Sequence, residues 1–246
     1  MPEKKYSPFW PLAKWLVKVF YGKMEVTGSE NIPSHPCILV ANHAQMNGPI
    51  VCELHLPFKR YTWCAGEMMK WKEVPAYAFR DFWSYKPKYT HWFYKLLSYL
   101  ITPIAVFVFN NAETIPVYHD TRAIQAFKLT LKALERGTSV VIFPECNTPH
   151  NSIIYDFQDK FIDLARMHHK RTGQAISFVP MYIAPDLKKT VIGAPIAFDP
   201  ACPMDQERER IKTALMDSVT GLARSLPRHR VVPYRNVAKK DYPMSK

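Results

Sequence analysis

Two short, uninterrupted apolar runs constrain the fold of this chain more than any other feature of its sequence. They are CILVAN, residues 37–42, and SVVIFPE, residues 139–145. Apolar runs without alternation predict strands that are buried on both faces, as in a sheet covered by helices. In such sheets the functional groups lie just beyond the carboxyl ends of the strands. We therefore expect the residues that follow these two runs to carry the function.

Helical patterns alternate with strand patterns along the rest of the chain. Apolar residues recur at helical spacing over residues 121–136, 154–169 and 204–225, whereas ISFVPMYIAP (176–185) and KTVIGAPIAF (189–198) are typical of strands. A chain of 246 residues with 48% hydrophobic content is long enough for one domain with a sizeable core. The predicted fold class is α/β, a single-domain mixed sheet flanked by helices.

The pattern divides the chain into three segments. Residues 1–25 hold an amphipathic helix for a membrane interface, residues 26–230 form the α/β domain, and residues 231–246 are a basic tail that we expect to be frayed. In FWPLAKWLVKVF (9–20) the apolar side chains fall on one helical face with lysines at its flanks. Such a helix can lie among lipid headgroups or cap a hydrophobic core, and both interpretations stay open.

Residues 92–109, WFYKLLSYLITPIAVFVF, are the most hydrophobic stretch. Three residues interrupt it: Lys95, Ser98 and Pro103. We predict a helix that ends near Thr102 and a strand-like piece from Ile104. The interruptions favour packing in the core or an interfacial patch over a true membrane crossing.

The chain is strongly basic, with a formal net charge of +12 and a pI of about 9.4. Such a surplus favours a polyanionic partner. The sequence has no basic helix of a DNA-reading type and no zinc-finger spacing, and its aromatic, basic front segments are typical of a membrane interface. We therefore expect membrane lipids as partners and no nucleic acid.

The cysteines and the N-terminus indicate the compartment. Five scattered cysteines without a Cys-x-x-Cys pair argue against a zinc site or a disulfide framework. Pro8 and Pro11 interrupt the N-terminus, which lacks the features of a signal peptide. We expect a protein at the cytoplasmic face of the membrane, attached peripherally or through an interfacial anchor.

Four strand ends, taken together and in order, resemble the sequence blocks of the glycerolipid acyltransferase family (PlsC type, lysophosphatidate acyltransferase-like). The blocks are NHAQMNGP (42–49), ETIPVYHDTR (113–122), FPECNTPHNS (143–152) and Val179-Pro180. The segments AGEMMKWKEVP (65–75) and IGAPI (192–196) also resemble family stretches. The resemblance covers residues 9 to 225 and implies an acyltransferase-like fold.

The resemblance implies acyl transfer from a thioester, acyl-CoA or acyl-ACP, to an acceptor hydroxyl. His43 corresponds to the general base, because a neutral imidazole can take the proton of a hydroxyl during attack. Glu145 corresponds to a binding or orienting carboxylate, and Asn42 and Pro144 shape the loops. The mechanism needs no cofactor beyond the thioester co-substrate and no metal.

The first block departs from the family pattern at one position. The family has an aspartate that orients the histidine, whereas this chain has Gly48. Loss of tautomer control can lower a rate by about 10⁴-fold. The amide oxygen of Asn47 is a candidate replacement, so Asn47 joins His43 and Glu145 as a predicted catalytic residue. Carboxylates from other loops are further candidates: Glu145, Asp120 and Asp156.

The acceptor site also departs from the family pattern. The third block lacks its arginine, and the second-block Asp-Arg pair is replaced by Tyr118-His119, with Arg122 nearby. Losing bidentate guanidinium groups disfavours a phosphomonoester and favours a neutral, hydroxylated or amide-containing acceptor. The residues predicted to bind substrate are Asn42, Gly48, Pro144, Cys146, His119, Arg122, His150 and Asn151.

Three other functions remain as alternatives. A catalytically silent relative would bind lipid or acyl carrier without transferring acyl groups, and Gly48 is its best support. A thioester or lipid hydrolase would use His43 to activate water. Nucleic-acid binding is the third. A nucleophilic Cys146 and a metal held by His43, His119 and His150 are disfavoured, because neither has a supporting sequence context.

Overall fold

The two apolar runs form adjacent parallel strands in the middle of a mixed sheet. The computed structural model describes residues 6–146 and 152–246. In these residues the sheet has eight strands: β1 Glu25–Thr27, β2 Ile38–Ala41, β3 Arg60–Ala65, β4 Thr114–Val117, β5 Ser139–Ile142, β6 Ser177–Ala184, β7 Lys189–Ile192 and β8 Ile196–Ala197. The strand order is β1-β7-β6-β2-β5-β3-β4, with β8 also pairing with β6. β7 and β8 run antiparallel to β6, whereas the other pairs are parallel.

Helices cover both faces of the sheet. In the described residues they are α1 Trp10–Tyr21, α2 Asn47–Leu54, α3 Val74–Ala78, α4 His91–Leu100, α5 Thr102–Asn111, α6 Ala123–Glu135, α7 Asp163–Thr172 and α8 Met204–Ser225. Along β2, Ile38 and Val40 pack into one core with α6, α7 and α8. Leu39 and Ala41 pack into a second core with α2. This alternation explains why every residue of β2 is apolar, and the predicted α/β class is confirmed.

The helix predicted over residues 154–169 begins later than expected. Only α7 is helical, after a 3₁₀ turn at Lys160–Ile162. Before the 3₁₀ turn, the main chain pairs with the loop that follows β5. Phe157 forms a bridge with Glu145, and the N–H of Gln158 donates to the carbonyl of Pro144 at 2.8 Å. These tertiary hydrogen bonds replace helical ones. The helices predicted over 121–136 and 204–225 are confirmed as α6 and α8.

The strand-like piece predicted from Ile104 is wrong, because this segment belongs to helix α5. Pro103 lies in the first turn of α5, where a missing N–H leaves no hydrogen bond unmade. It therefore starts a helix rather than a strand. Among the described residues no single helix is long and apolar enough to cross a membrane; the bent pair Lys88–Leu100 and Thr102–Asn111, at 45°, meets the length and composition criteria only when taken together.

Helix α1 lies on the surface and buries none of its residues. The ring of Trp10 contacts Phe107 of α5 at a centroid distance of 6.2 Å, and Lys14 Nζ lies 2.8 Å from Glu53 Oε1. Its apolar face stays open to solvent, with Phe20 87% exposed. Tyr21, the last residue of the helix, packs against the second core, whereas the apolar face of the helix does not cover that core.

The C-terminal segment is folded, and the expectation of a frayed tail is wrong. Val231 and Val232 are buried, with Val231 part of the main core. Arg230 and Met244 form an antiparallel bridge that closes the intervening chain into a loop. The N–H of Val231 also donates to the carbonyl of Pro243 at 2.8 Å. Two buried valines anchor this loop in spite of its basic composition.

Candidate functional site

The candidate site lies where the parallel strands β2 and β5 end side by side. This placement brings His43 and Glu145 together, as the sequence predicts. The main-chain N–H of His43 donates a hydrogen bond to Oε2 of Glu145. Glu145 is buried, and burial raises its pKa to about 7, although the hydrogen bond from His43 opposes that rise. The carboxylate therefore holds the loop of His43 rather than its imidazole.

Two aromatic rings enclose the imidazole of His43. Phe143 lies at a centroid distance of 4.9 Å and Tyr234 at 5.1 Å, both with their planes steeply inclined to the imidazole. Burial in this apolar surrounding lowers the pKa of His43 to about 4, although a hydrogen bond with the main chain of Gln45 opposes that fall. The side chain retains some exposure to solvent. At neutral pH the imidazole is uncharged and can accept a proton.

The Nδ1 atom of His43 is buried and has no hydrogen-bond partner among the described residues. Asn47, the predicted replacement for the aspartate, is engaged elsewhere: its amide donates to the carbonyl of Ala44 at 2.9 Å and accepts from the hydroxyl of Tyr21 at 3.0 Å. The predicted catalytic contact from Asn47 to the imidazole is therefore absent in the described residues. The reason is that Asn47 opens helix α2 and ties its first turn to the preceding loop.

The other candidate carboxylates have different partners. Asp120 pairs with Arg122 at 2.7 Å, and Asp156 pairs with Lys212 at 2.6 Å. Glu145 contacts only the main chain of His43 among the hydrogen bonds of the described residues. No carboxylate in the described part of the chain takes the place of the family aspartate.

Gly48 packs directly under the histidine loop. Its N–H donates to the carbonyl of His43 at 3.0 Å. A Cβ atom at this position would overlap that carbonyl oxygen and lie 3.0 Å from a ring carbon of Phe143. Gly48 was predicted to bind substrate, and its contacts give it a packing function instead.

Asn42, Pro144 and Cys146 shape the site rather than line it with free polar groups. The amide of Asn42 donates to the carbonyl of Ile183 at 3.0 Å and accepts its N–H at 2.7 Å, which fixes the end of β2 against β6. The carbonyl of Pro144 accepts from Gln158, while its side chain lines a cavity. Burial and nearby Asp156 raise the pKa of the Cys146 thiol, which argues against a thiolate nucleophile.

His119 and Arg122 differ in their access to the site. His119 lines the same cavity as His43. Arg122 does not, because Asp120 and Glu73 hold its guanidinium and it stacks on Tyr118 with 3.7 Å to the ring centroid. It is therefore not available to replace the missing phosphate-binding arginine. His150 and Asn151, also predicted to bind substrate, lie outside the described residues.

Two cavities of about 360 and 390 Å³ meet at His43, Cys64, Ala65, Tyr77 and Tyr234, which line both. We call them the arginine cavity and the strand-end cavity. The arginine cavity is further lined by apolar residues and by Arg80, Asp81, Arg235 and Asn236. The strand-end cavity runs over the ends of β3, β4 and β5, with Trp63, Phe127, Phe143 and Phe161 among its lining residues. The site thus offers two chambers on either side of one neutral base.

The contribution of the C-terminal segment to the site is not predicted by the sequence patterns. Tyr234, Arg235 and Asn236 line the arginine cavity, and Tyr234 lines both cavities. The only signal in the sequence is the run VVPY, residues 231–234, in which apolar residues interrupt a basic segment.

Among the described residues, no group of three or more His, Cys, Asp or Glu side chains is placed to hold a metal ion.

No protein-family model matches this chain, and no curated protein matches it. Among solved structures it is similar to the crystal structure of the 1-acyl-sn-glycerophosphate (LPA) acyltransferase PlsC from Thermotoga maritima. The two are 14% identical with a TM-score of 0.45, over 84% of this chain and 78% of that chain. A likeness at this level carries no argument about activity, which must be inferred from the site.

Proposed function

We propose that this chain is an O-acyltransferase that moves a fatty acyl group from acyl-CoA or acyl-ACP to a hydroxyl of a lysolipid or similar acceptor. The observation that carries the proposal is the position of His43, a neutral histidine at which two adjoining cavities meet. A base at this junction can act on an acceptor held in one cavity while the thioester lies in the other, and such positioning of two reactants accelerates their reaction. The four sequence blocks of the glycerolipid acyltransferase type support the same reaction.

The reaction follows from the neutral state of His43. The imidazole takes the proton of the acceptor hydroxyl while its oxygen attacks the carbonyl carbon of the thioester. The carbon–oxygen bond forms, the carbon–sulfur bond breaks, and the thiol leaves with the proton that the imidazolium returns. Histidine acts here as in a serine-hydrolase triad, except that the substrate brings the hydroxyl.

The two cavities differ in charge, which suggests the place of each substrate. Arg80 and Arg235 line the arginine cavity, and both donors join their thiol to the carrier through phosphate. We therefore assign the arginine cavity to the donor. The strand-end cavity would hold the acceptor, and the ion pairs that occupy Arg122 support a neutral acceptor rather than a phosphomonoester.

Membrane attachment at the cytoplasmic face belongs to the same proposal. Helix α1 exposes Trp15 and Phe20, the preceding residue Phe9 is also exposed, and helices α4 and α5 expose Trp92 and Ile104, each by more than half of its surface. Exposed aromatic and aliphatic side chains on a chain of net charge +12 suit the headgroup region of an anionic membrane. Peripheral attachment would bring the cavities to lipid substrates.

A catalytically silent lipid-binding relative is the second candidate, favoured by the unpartnered Nδ1 of His43. A base with a pKa of about 4 and no orienting carboxylate is a weak one. The two cavities would then bind ligands without transfer.

The deciding experiment measures thiol release from long-chain acyl-CoA by the purified protein with a panel of lysolipids and hydroxylated amides. Products are identified by mass. His43→Gln should reduce acceptor-dependent release by about 10²-fold or more. His35→Gln, at an exposed histidine away from both cavities, is the matched control and should leave the rate unchanged.

Two other outcomes would each support one of the alternative functions. Free fatty acid in excess of acylated product would indicate a hydrolase. Absence of release from acyl-CoA, and from acyl-ACP in a parallel assay, while the parent protein and His43→Gln bind lipid vesicles equally, would refute the transferase and favour the silent relative.

A further inference from the structure

No side chain of the described residues orients the imidazole of His43 by a hydrogen bond, and the polar group that acts on its ring is the main chain of Gln45. Its Nδ1 is buried without a hydrogen-bond partner among the described residues, which is unfavourable for a polar atom. The side chain therefore has to be held by contacts of another kind. In the described residues, aromatic rings contact the imidazole from two sides. They are Phe143, which follows β5, and Tyr234 in the C-terminal loop, which we define as residues 230–244.

The turn that follows His43 also needs external support. Ala44 and Gln45 both have left-handed backbone conformations, with φ of 48° and 55°. Such conformations are unfavourable for residues other than glycine, because the Cβ atom comes too close to the carbonyl oxygen. Two in succession persist only when surrounding contacts hold them.

The C-terminal loop supplies those contacts through the side chain of Gln45. The Nε2 of Gln45 donates to the carbonyl of Arg235 at 3.3 Å. The hydroxyl of Tyr242 donates to Oε1 of Gln45 at 3.2 Å. Both ends of one amide are therefore bound to the same loop, which fixes the turn beside His43.

The C-terminal loop is itself anchored at several points. Arg230 and Met244 close it by an antiparallel bridge. Asn236 Nδ2 donates to the carbonyl of Asp81 at 3.0 Å. At its base, the hydroxyl of Tyr182 on β6 lies 2.8 Å from Nε2 of His229. A loop closed and tied to two parts of the domain can hold another segment in place.

We propose that the C-terminal loop positions the catalytic histidine in place of the missing carboxylate, with Tyr234 packed on the ring of His43 and Tyr242 fixing the adjacent turn through Gln45. Tyr234, Tyr242 and Gln45 are positioning residues, because they act through His43. The catalytic meaning of this assignment rests on the proposed function, whereas the positioning itself does not.

A consequence is that Tyr234 shields the imidazole from water. Removing its ring should let water reach His43 and raise the pKa of the imidazole from about 4 towards its ordinary 6.5. Other ionisable groups line the two cavities around His43 and stay the same in such a variant: Cys64, Glu67, Tyr77, Arg80, Asp81, Tyr85, Tyr118, His119, Asp120, Glu145, Lys160 and Arg235. A change in the titration of His43 would therefore report on the contact with Tyr234.

The experiment follows the titration of the His43 imidazole by NMR in the full-length protein, with its signals assigned by their loss in His43→Gln. Tyr234→Ala should raise the midpoint by about one pH unit or more. Tyr234→Phe keeps the ring and should keep the midpoint. Tyr89→Ala, at a tyrosine that is 79% exposed, is the matched control and should change nothing.

A second variant keeps the test valid if Tyr234→Ala does not fold. Tyr242→Phe removes one hydroxyl, preserves packing, and should broaden or shift the His43 signals because Gln45 is released at one end. Acyl-transfer rates are measured alongside, and kcat should fall more than KM rises in both variants. An unchanged His43 titration in folded Tyr234→Ala and in Tyr242→Phe would overturn the proposal.

The titration and the transfer assay separate the two proposals. If the titration shifts but no variant or parent releases thiol, the positioning stands and the transferase fails. If transfer occurs with unchanged titrations, only the positioning fails.

Discussion

At the scale of single residues, Gly48 shows how tightly the backbone beside His43 is packed and why a side chain is disfavoured at this position. Its N–H bonds the carbonyl of His43 at 3.0 Å, and that oxygen occupies the space that a Cβ would need. Phe143 closes the remaining space. The packing of this loop therefore favours glycine at position 48 and leaves no room for a carboxylate side chain there.

We expect Gly48→Asp to destabilise the protein by about 1–3 kcal/mol without raising acyl transfer, because its side chain forces the backbone at His43 to move. Gly48→Ala should have a similar effect, since the overlap begins at Cβ. Urea unfolding and thiol release test both variants.

The matched control is Gly221→Ala, in helix α8, where a Cβ meets no atom within 4 Å. It should be neutral or stabilise the helix by up to about 1 kcal/mol. A Gly48→Asp protein with wild-type stability and faster transfer would contradict this account and show that the loop can accept the carboxylate.

At the scale of elements, the sequence predicts those whose local signals and tertiary contacts agree. Helix α8, Met204–Ser225, has the predicted bounds. Its apolar stripe indicates the buried face of the helix, and Pro227 indicates where the helix ends. Helix α5 was assigned wrongly because Pro103 was interpreted as a break rather than a first turn. The start of α7 was misplaced because main-chain groups near Phe157 bond the loop after β5, which no local pattern reveals.

Helix α1 is the element whose exposed face most directly predicts behaviour. Phe20 is 87% exposed and Trp15 59%. Burying one such side chain in a bilayer interface contributes about 1.5–3 kcal/mol. We expect Phe20→Ser to weaken binding to vesicles containing anionic phospholipid by about tenfold or more, measured by co-sedimentation.

The control for this prediction is Ile124→Ser, on α6, because Ile124 is 62% exposed but lies away from α1. It should bind vesicles like the parent protein. Equal loss in both variants, or no loss in Phe20→Ser, would contradict a specific membrane contact by α1.

At the scale of the whole molecule, the sequence locates one half of the site and misses the other. His43 and Glu145 follow the two most apolar strands, so sheet topology alone brings them together. Tyr234 reaches the site from the far end of the chain through contacts that depend on two buried valines and a loop closure. Sequence patterns describe elements, whereas this placement is decided by how the elements pack.

His43 and Glu145 have pKa values that are shifted by burial, and they give the stability of the whole protein a distinctive pH dependence. The pKa of His43 is lowered from 6.5 to about 4, so the unfolded chain binds more protons in that interval and stability rises with pH. The pKa of Glu145 is raised from 4.5 to about 7, so the folded chain binds more protons there and stability falls with pH. Each slope is at most about 1.4 kcal/mol per pH unit, and that of His43 is smaller because its side chain is partly exposed.

Because the two slopes oppose each other between pH 4.5 and 6.5, removing either group should reveal the other. Relative to the parent, Glu145→Gln should gain unfolding free energy as pH rises from 4.5 to 7, while keeping an acceptor for the N–H of His43. His43→Gln should lose unfolding free energy, relative to the parent, as pH rises from 4 to 6.5. Urea unfolding across this range measures both differences. Parallel curves for the three proteins would show that neither group titrates abnormally, whereas slopes of opposite sign require that both are held in the buried environment between β2 and β5.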